Sequence, residues 1–148
     1  MFFITFMTNT MNTYIKKFKE RCVMKKQTHN IQSDKELFIK KRQIRFVRLG
    51  CNVWYEEDGK WSDFARPVLV INKLWNTFFV IPLTTWGKDN HYFYYTLQET
   101  NSDKTSRLIL NQWRTISKER FISHIDTVPM QEFATIKNFL YTMYLGES

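Results

Sequence analysis

Two apolar runs with almost nothing between them constrain this chain more than any other feature. Residues 68–74 read VLVINKL and residues 78–83 read FFVIPL. Both are short, nearly continuous in apolar side chains and rich in β-branched and aromatic residues, which suits strands buried on both faces. The join at 73–76 is a tight connection. Counting flanking residues, strands are expected at 67–74 and 77–83, and further strand-like runs at 44–49, 92–97, 107–116 and 122–127. The polar stretches 87–90 and 100–104 carry the loop chemistry that separates strands.

Residues 117–121 read as a single helical turn capped by Ser117. Beyond it, Met130, Phe133, Ala134, Ile136, Phe139, Leu140 and Met143 recur at three-to-four spacing, with Pro129 in the first turn and Gly146 just past the end. That is an amphipathic helix with ordinary boundary residues. Near the start, Tyr14, Ile15, Phe18, Cys22 and Val23 fall at helical spacing among Lys16, Lys17, Lys19, Glu20 and Arg21. A second amphipathic helix is expected over 12–25, with a polar link at 26–35. The expected class is mainly β with added helices (α+β): a small, strongly curved antiparallel sheet, closed by a C-terminal helix and preceded by an N-terminal one. The division is residues 1–40, helix and linker, and residues 41–148, the sheet domain.

At 148 residues the chain can build one substantial core. Hydrophobic residues at 43% place it among globular rather than disordered sequences. The balance of 22 Lys+Arg against 14 Asp+Glu gives a net charge of +8, which fits a polyanionic partner. Cys22 and Cys51 form no C-x-x-C pair, so the expectation is no metal site and free thiols in a reducing cytoplasm. Met1–Met7 is apolar but too short for a membrane span and lacks the basic segment of a signal peptide, and Met7 and Met11 offer alternative starts. No Walker loop, dinucleotide fingerprint or Ser-His-Asp order occurs, and no cofactor is expected. The three histidines, His29, His91 and His124, are too scattered to suggest a two-histidine ribonuclease.

Arg66-Pro67 opens one core strand, and Pro82-Leu83-Thr84-Thr85 closes the next. An arginine at the start of one strand and a hydroxyl at the end of its neighbour can meet at one edge of a small barrel. A fixed cation beside a hydroxyl donor suits a phosphodiester better than a metal or a nucleotide cofactor. Upstream lies an acidic loop, Asn52-Val53-Trp54-Tyr55-Glu56-Glu57-Asp58-Gly59. Downstream, Leu108-Ile109-Leu110-Asn111-Gln112-Trp113-Arg114 is followed by Lys118-Glu119-Arg120. Gln112 and Arg114, two residues apart on one expected strand, share a face.

These blocks resemble, in order and spacing over roughly residues 43–140, the PemK/MazF family of toxin endoribonucleases from type II toxin–antitoxin systems. The resemblance implies an SH3-like barrel and metal-independent cleavage of single-stranded RNA by attack of the ribose 2′-hydroxyl. On that pattern Arg66 matches the catalytic arginine, Thr84 the catalytic threonine and Glu56 the loop glutamate, with Thr85 as the adjacent fallback. Asn52, Trp54, Glu57, Gln112 and Arg114 fall where relatives bind RNA. The implied partners are single-stranded RNA, an acidic antitoxin and a second copy of the chain, in the cytoplasm and without a membrane.

Two departures stand out. Trp54 replaces the loop glycine, removing easy access to positive φ, and Glu57 replaces a glutamine, adding a charge that repels phosphate. A non-catalytic toxin of the same fold, binding a protein such as gyrase in the manner of CcdB, and a degenerate RNA-binding module are therefore the competing readings. Trp54, Tyr55 and Trp61 could stack on bases, but aromatics this abundant more often fill a core or a dimer interface.

Overall fold

The computed structural model describes residues 22–23, 38–49, 65–87, 92–98 and 105–146. Cys22 and Val23 are helical; the rest of the expected helix over 12–25 lies outside the described residues.

The elements are β1 (Gln43–Arg48), β2 (Ala65–Leu74), β3 (Thr77–Thr84), β4 (Tyr94–Thr96), β5 (Arg107–Ile109), β6 (Arg114–Ser117), β7 (Phe121–Thr127) and α1 (Met130–Leu145). All strand pairings are antiparallel. The order across the sheet is β4-β5-β3-β2-β1-β7, with β6 also paired to β3. Among the described residues the sheet is open, ending at β4 and β7.

The two apolar runs form the β2–β3 hairpin at its centre. Leu74 pairs with Thr77, leaving Trp75-Asn76 as the loop, and Trp75 takes a positive φ of 55°. Positive φ at the first loop residue suits the twist of paired strands. Thr77 Oγ1 donates to the Leu74 carbonyl at 2.8 Å and staples the turn.

Side-chain alternation on β2 and β3 feeds two cores. Leu69, Ile71, Ile81 and Leu83 face α1 and pack with Ile44, Leu108, Val128, Phe133, Ile136 and Leu140. Val68, Val70 and Val80 face the other way and pack with Val47, Leu49, Phe78, Ile116 and Phe121. Each such side chain taken from water contributes about 1.5–3 kcal/mol. The buried stripe of α1, Phe133, Ile136 and Leu140, is narrower than its sequence pattern. Met130 and Phe139 are exposed, with Phe139 edge-on to Tyr95 at 5.4 Å.

Three local expectations need correction. The run 107–116 is not one strand: a 3-10 turn, Leu110–Gln112, divides it. The reason is β3, whose one edge serves two partners. Its start, Thr77–Val80, pairs with β6, while Leu83 and Thr84 pair with β5. Second, the turn after Ser117 is a 3-10 turn, Lys118–Arg120, and the Ser117 side chain makes no capping bond. Third, Pro129 is the residue before α1 rather than part of its first turn.

Candidate functional site

Arg66 sits second in β2, opposite Val47 of β1. Thr84 ends β3, opposite Arg107 of β5, which in turn faces Thr96 of β4. The β2–β3 register ends with Val68 opposite Pro82, and Arg66 and Thr84 each lie two residues beyond that pair, on its face by strand alternation. Residues directly opposite in an antiparallel pair point to the same face. The result is one row, Thr84, Arg107 and Thr96, with Arg66 on the same face at the start of β2.

The row lies on the face away from α1, the face that carries Val68, Val70 and Val80. Arg66, Thr84 and Arg107 are 4%, 7% and 9% exposed. Guanidinium groups are seldom so enclosed unless partnered, and both arginines have partners here. The Thr84 hydroxyl oxygen accepts from the Trp86 N–H at 3.1 Å. That bond occupies a lone pair and makes the O–H proton the group's donor. Arg107 Nη1 donates to the Thr85 carbonyl at 3.3 Å, which holds its head group against the same stretch of backbone. Just beyond, Gly87 has φ 122°, a conformation that side-chain-bearing residues rarely adopt, and packs against the Tyr94 ring.

Of the residues expected from sequence, Arg66 and Thr84 both lie buried on one face of the sheet. Thr85 lies past the strand end and is exposed, so strand alternation does not govern it. Gln112 belongs to the 3-10 turn, and Arg114 starts β6 opposite Val80. The two are not a same-face pair of one strand. Arg114 shares the face of Thr84 but stands four residues along β3, ~13 Å away at strand rise. Its Nε is buried without a hydrogen-bond partner. Asn52, Trp54, Glu56 and Glu57, together with Tyr55 and Trp61, lie outside the described residues. So do Cys51, His29 and His91, while His124 on β7 bonds Thr127 at 3.0 Å.

Arg107 is the residue that sequence reasoning missed. Its signal was nonetheless the one used for Arg66: a lone arginine directly ahead of an apolar run, Arg107-Leu108-Ile109-Leu110. A third buried arginine, Arg45, faces Val68 on the same side of the sheet. Burial lowers its pKa below the ordinary arginine value. Its Nη1 donates to Gln43 Oε1 at 3.1 Å, and its Nε has no partner. Arg120 is tied down elsewhere, donating to the Arg48 carbonyl at 2.8 Å where β1 ends. Among the described residues no three of His, Cys, Asp and Glu come together as a metal site would require. What the row offers chemically is paired cation forks around a hydroxyl donor, a set matched to phosphate oxygens.

Comparison with known proteins points the same way. A family model described as the PemK-like, MazF-like toxin of type II toxin–antitoxin systems matches residues 40–144. MazF of Deinococcus radiodurans superposes with a TM-score of 0.58 at 14% identity, covering 71% of this chain and 94% of its own. The Mycobacterium tuberculosis toxin MazF-mt6 gives 0.55 at 16% identity, covering 72% and 100%. An endoribonuclease in complex with its cognate antitoxin from a mycobacterial species gives 0.53 at 15%, covering 74% and 99%. At such identities the likeness shows a shared fold. Comparison with curated protein sequences finds no match.

Proposed function

The chain belongs to the PemK-like, MazF-like family of type II toxin–antitoxin toxins, and from that premise we propose that it is an endoribonuclease that cuts single-stranded RNA. The observation that supports the reading is that Arg66 and Thr84, at the start of β2 and the end of β3, are both buried on the same face of the sheet. In the proposed reaction the ribose 2′-oxygen attacks the adjacent phosphorus and the bond to the 5′-oxygen of the next nucleotide breaks. A proton leaves the 2′-hydroxyl and one joins the departing oxygen, giving a 2′,3′-cyclic phosphate and a 5′-hydroxyl. No metal takes part in this scheme. A guanidinium carries five N–H donors and no acceptor, so Arg66 is a poor general base. Its part is to balance the charge that builds on the phosphoryl oxygens and to donate to the leaving oxygen. Thr84 donates its O–H to a non-bridging oxygen, and Glu56 organises the attacking hydroxyl. Asn52, Trp54, Glu57, Thr85, Gln112 and Arg114 extend the RNA contact.

Single-stranded RNA incubated with the purified protein in EDTA is expected to yield fragments ending in 2′,3′-cyclic phosphate. Cleavage only on addition of magnesium would overturn the scheme. The competing reading, a non-catalytic toxin or RNA-binding module, draws on the Trp54 and Glu57 departures and predicts binding without cleavage.

An acidic antitoxin is the proposed partner; two structural relatives at 15% identity are an endoribonuclease in complex with its cognate antitoxin and a MazE-MazF structure. A homodimer is proposed as well. Trp113, Phe139, Tyr141 and Tyr144 expose apolar surface on and beside α1, and a two-fold pairing would cover it. Light scattering is expected to give twice the 18.1 kDa chain mass; the single-chain mass at micromolar concentration would refute the dimer. No helix among the described residues is long and apolar enough to cross a membrane, and action in the cytoplasm is part of the proposal. Residues 41–148 are proposed as the active domain, with residues 1–40 as an appended helix and linker.

A further inference from the structure

We propose that Arg107 is a second phosphate-binding arginine of this site, gripping the same phosphodiester as Arg66 from the other side of Thr84. The inference rests on the RNA-cleaving reading for its substrate, and on three observations of its own. Arg107 is the direct cross-strand neighbour of Thr84. Directly opposed side chains in an antiparallel pair start with Cβ atoms about 4.5–5.5 Å apart, within easy reach of one small anion. Arg107 is also nearly as enclosed as Arg66, at 9% against 4% exposed. Its guanidinium is anchored to the Thr85 carbonyl, the residue next to the proposed donor hydroxyl. The anchor fixes the head group beside Thr84, where a long cationic side chain would otherwise range widely.

The chemistry gives such a residue a distinct task. A phosphodiester carries one negative charge, and attack by the 2′-oxygen puts a second onto its two non-bridging oxygens. One guanidinium fork balances one charge. A second fork, from the opposite flank of the same threonine, balances the other at the moment it develops, in a site sheltered from water.

The test pairs cleavage with binding of a strand that cannot be cut. Wild type, Arg107→Gln and Arg107→Lys are assayed for RNA cleavage in EDTA, for melting temperature, and for the salt dependence of binding to a single-stranded oligodeoxynucleotide, which lacks the attacking hydroxyl. Arg107→Gln is expected to cut on the order of 10²-fold more slowly. Its slope of log affinity against log salt should fall by about 0.7, the loss of one phosphate contact on a single strand. Arg107→Lys should restore the slope but not the rate, because an ammonium supplies charge without the fork. A purely structural arginine would shift the melting temperature and leave the slope alone. Wild-type slope and rate in Arg107→Gln overturn the proposal and leave RNA cleavage standing. If wild type cuts no RNA but the slope still falls in Arg107→Gln, the cleavage reading fails and the phosphate contact survives. Should Arg107→Gln not fold, Arg107→Met repeats the charge removal with the apolar stem retained, and the same outcomes apply.

Discussion

The two faces of the sheet make opposite uses of burial. Under α1 the enclosed side chains are apolar throughout, with Leu69, Ile81, Leu108 and Ile136 among the best buried. On the other face the apolar cluster around Val68 and Val80 is interrupted by Arg45, Arg66, Thr84 and Arg107, all enclosed. Burying guanidinium groups costs free energy that burying leucines would have gained. A small domain that accepts this cost on one face only has placed its stability on the helix side. The arginine side is the one the proposed reaction would use.

The contrast can be broken from either side. The largest effect belongs to the helix face. Ile136 is fully buried, and Ile136→Ala is expected to cost about 3–4 kcal/mol, read from urea midpoints, through lost burial and the cavity left behind. If the variant melts like wild type, α1 does not carry the stability assigned to it. Arg66→Met comes next and should act the other way around. Cleavage should fall on the order of 10²-fold, equivalent to about 2.7 kcal/mol, while stability stays within about 1 kcal/mol of wild type. Normal cleavage by this variant would remove Arg66 from the site.

The smallest effect sharpens the comparison most. Arg45 is buried with an unpartnered Nε, and its lowered pKa arises from desolvation alone. Arg45→Met should raise stability by about 1 kcal/mol, as an enclosed polar atom without a partner is replaced by an apolar chain. A large loss instead would show that Arg45 is a structural keystone and not a cost borne by this face.

Local pattern was enough for the central hairpin and for α1. The runs around Val68–Val70 and Phe78–Leu83 are apolar on both faces because both faces are in fact covered, and Phe133, Ile136 and Leu140 recur as one helix stripe must. Pattern failed at residues 107–116. Arg107-Leu108-Ile109-Leu110 reads as the start of a long strand, yet the chain turns at Leu110–Gln112 to serve two stretches of β3. Ser117 has the composition of a cap but not the bond, since extended strands flank the turn on both sides.

What the sequence determined by itself is the strands outside residues 107–116 and the closing helix, along with the presence of an arginine and a threonine at adjoining strand ends. These follow from side-chain periodicity and turn chemistry, which act over a few residues. Only the tertiary structure decided which residues stand beside that threonine. Arg107 and Thr84 are 23 positions apart in the chain and become neighbours through the β3–β5 register, while Gln112 and Arg114, two positions apart, are separated by the end of a turn. Register is set by long-range packing of two cores at once, and no local stretch of sequence contains that information.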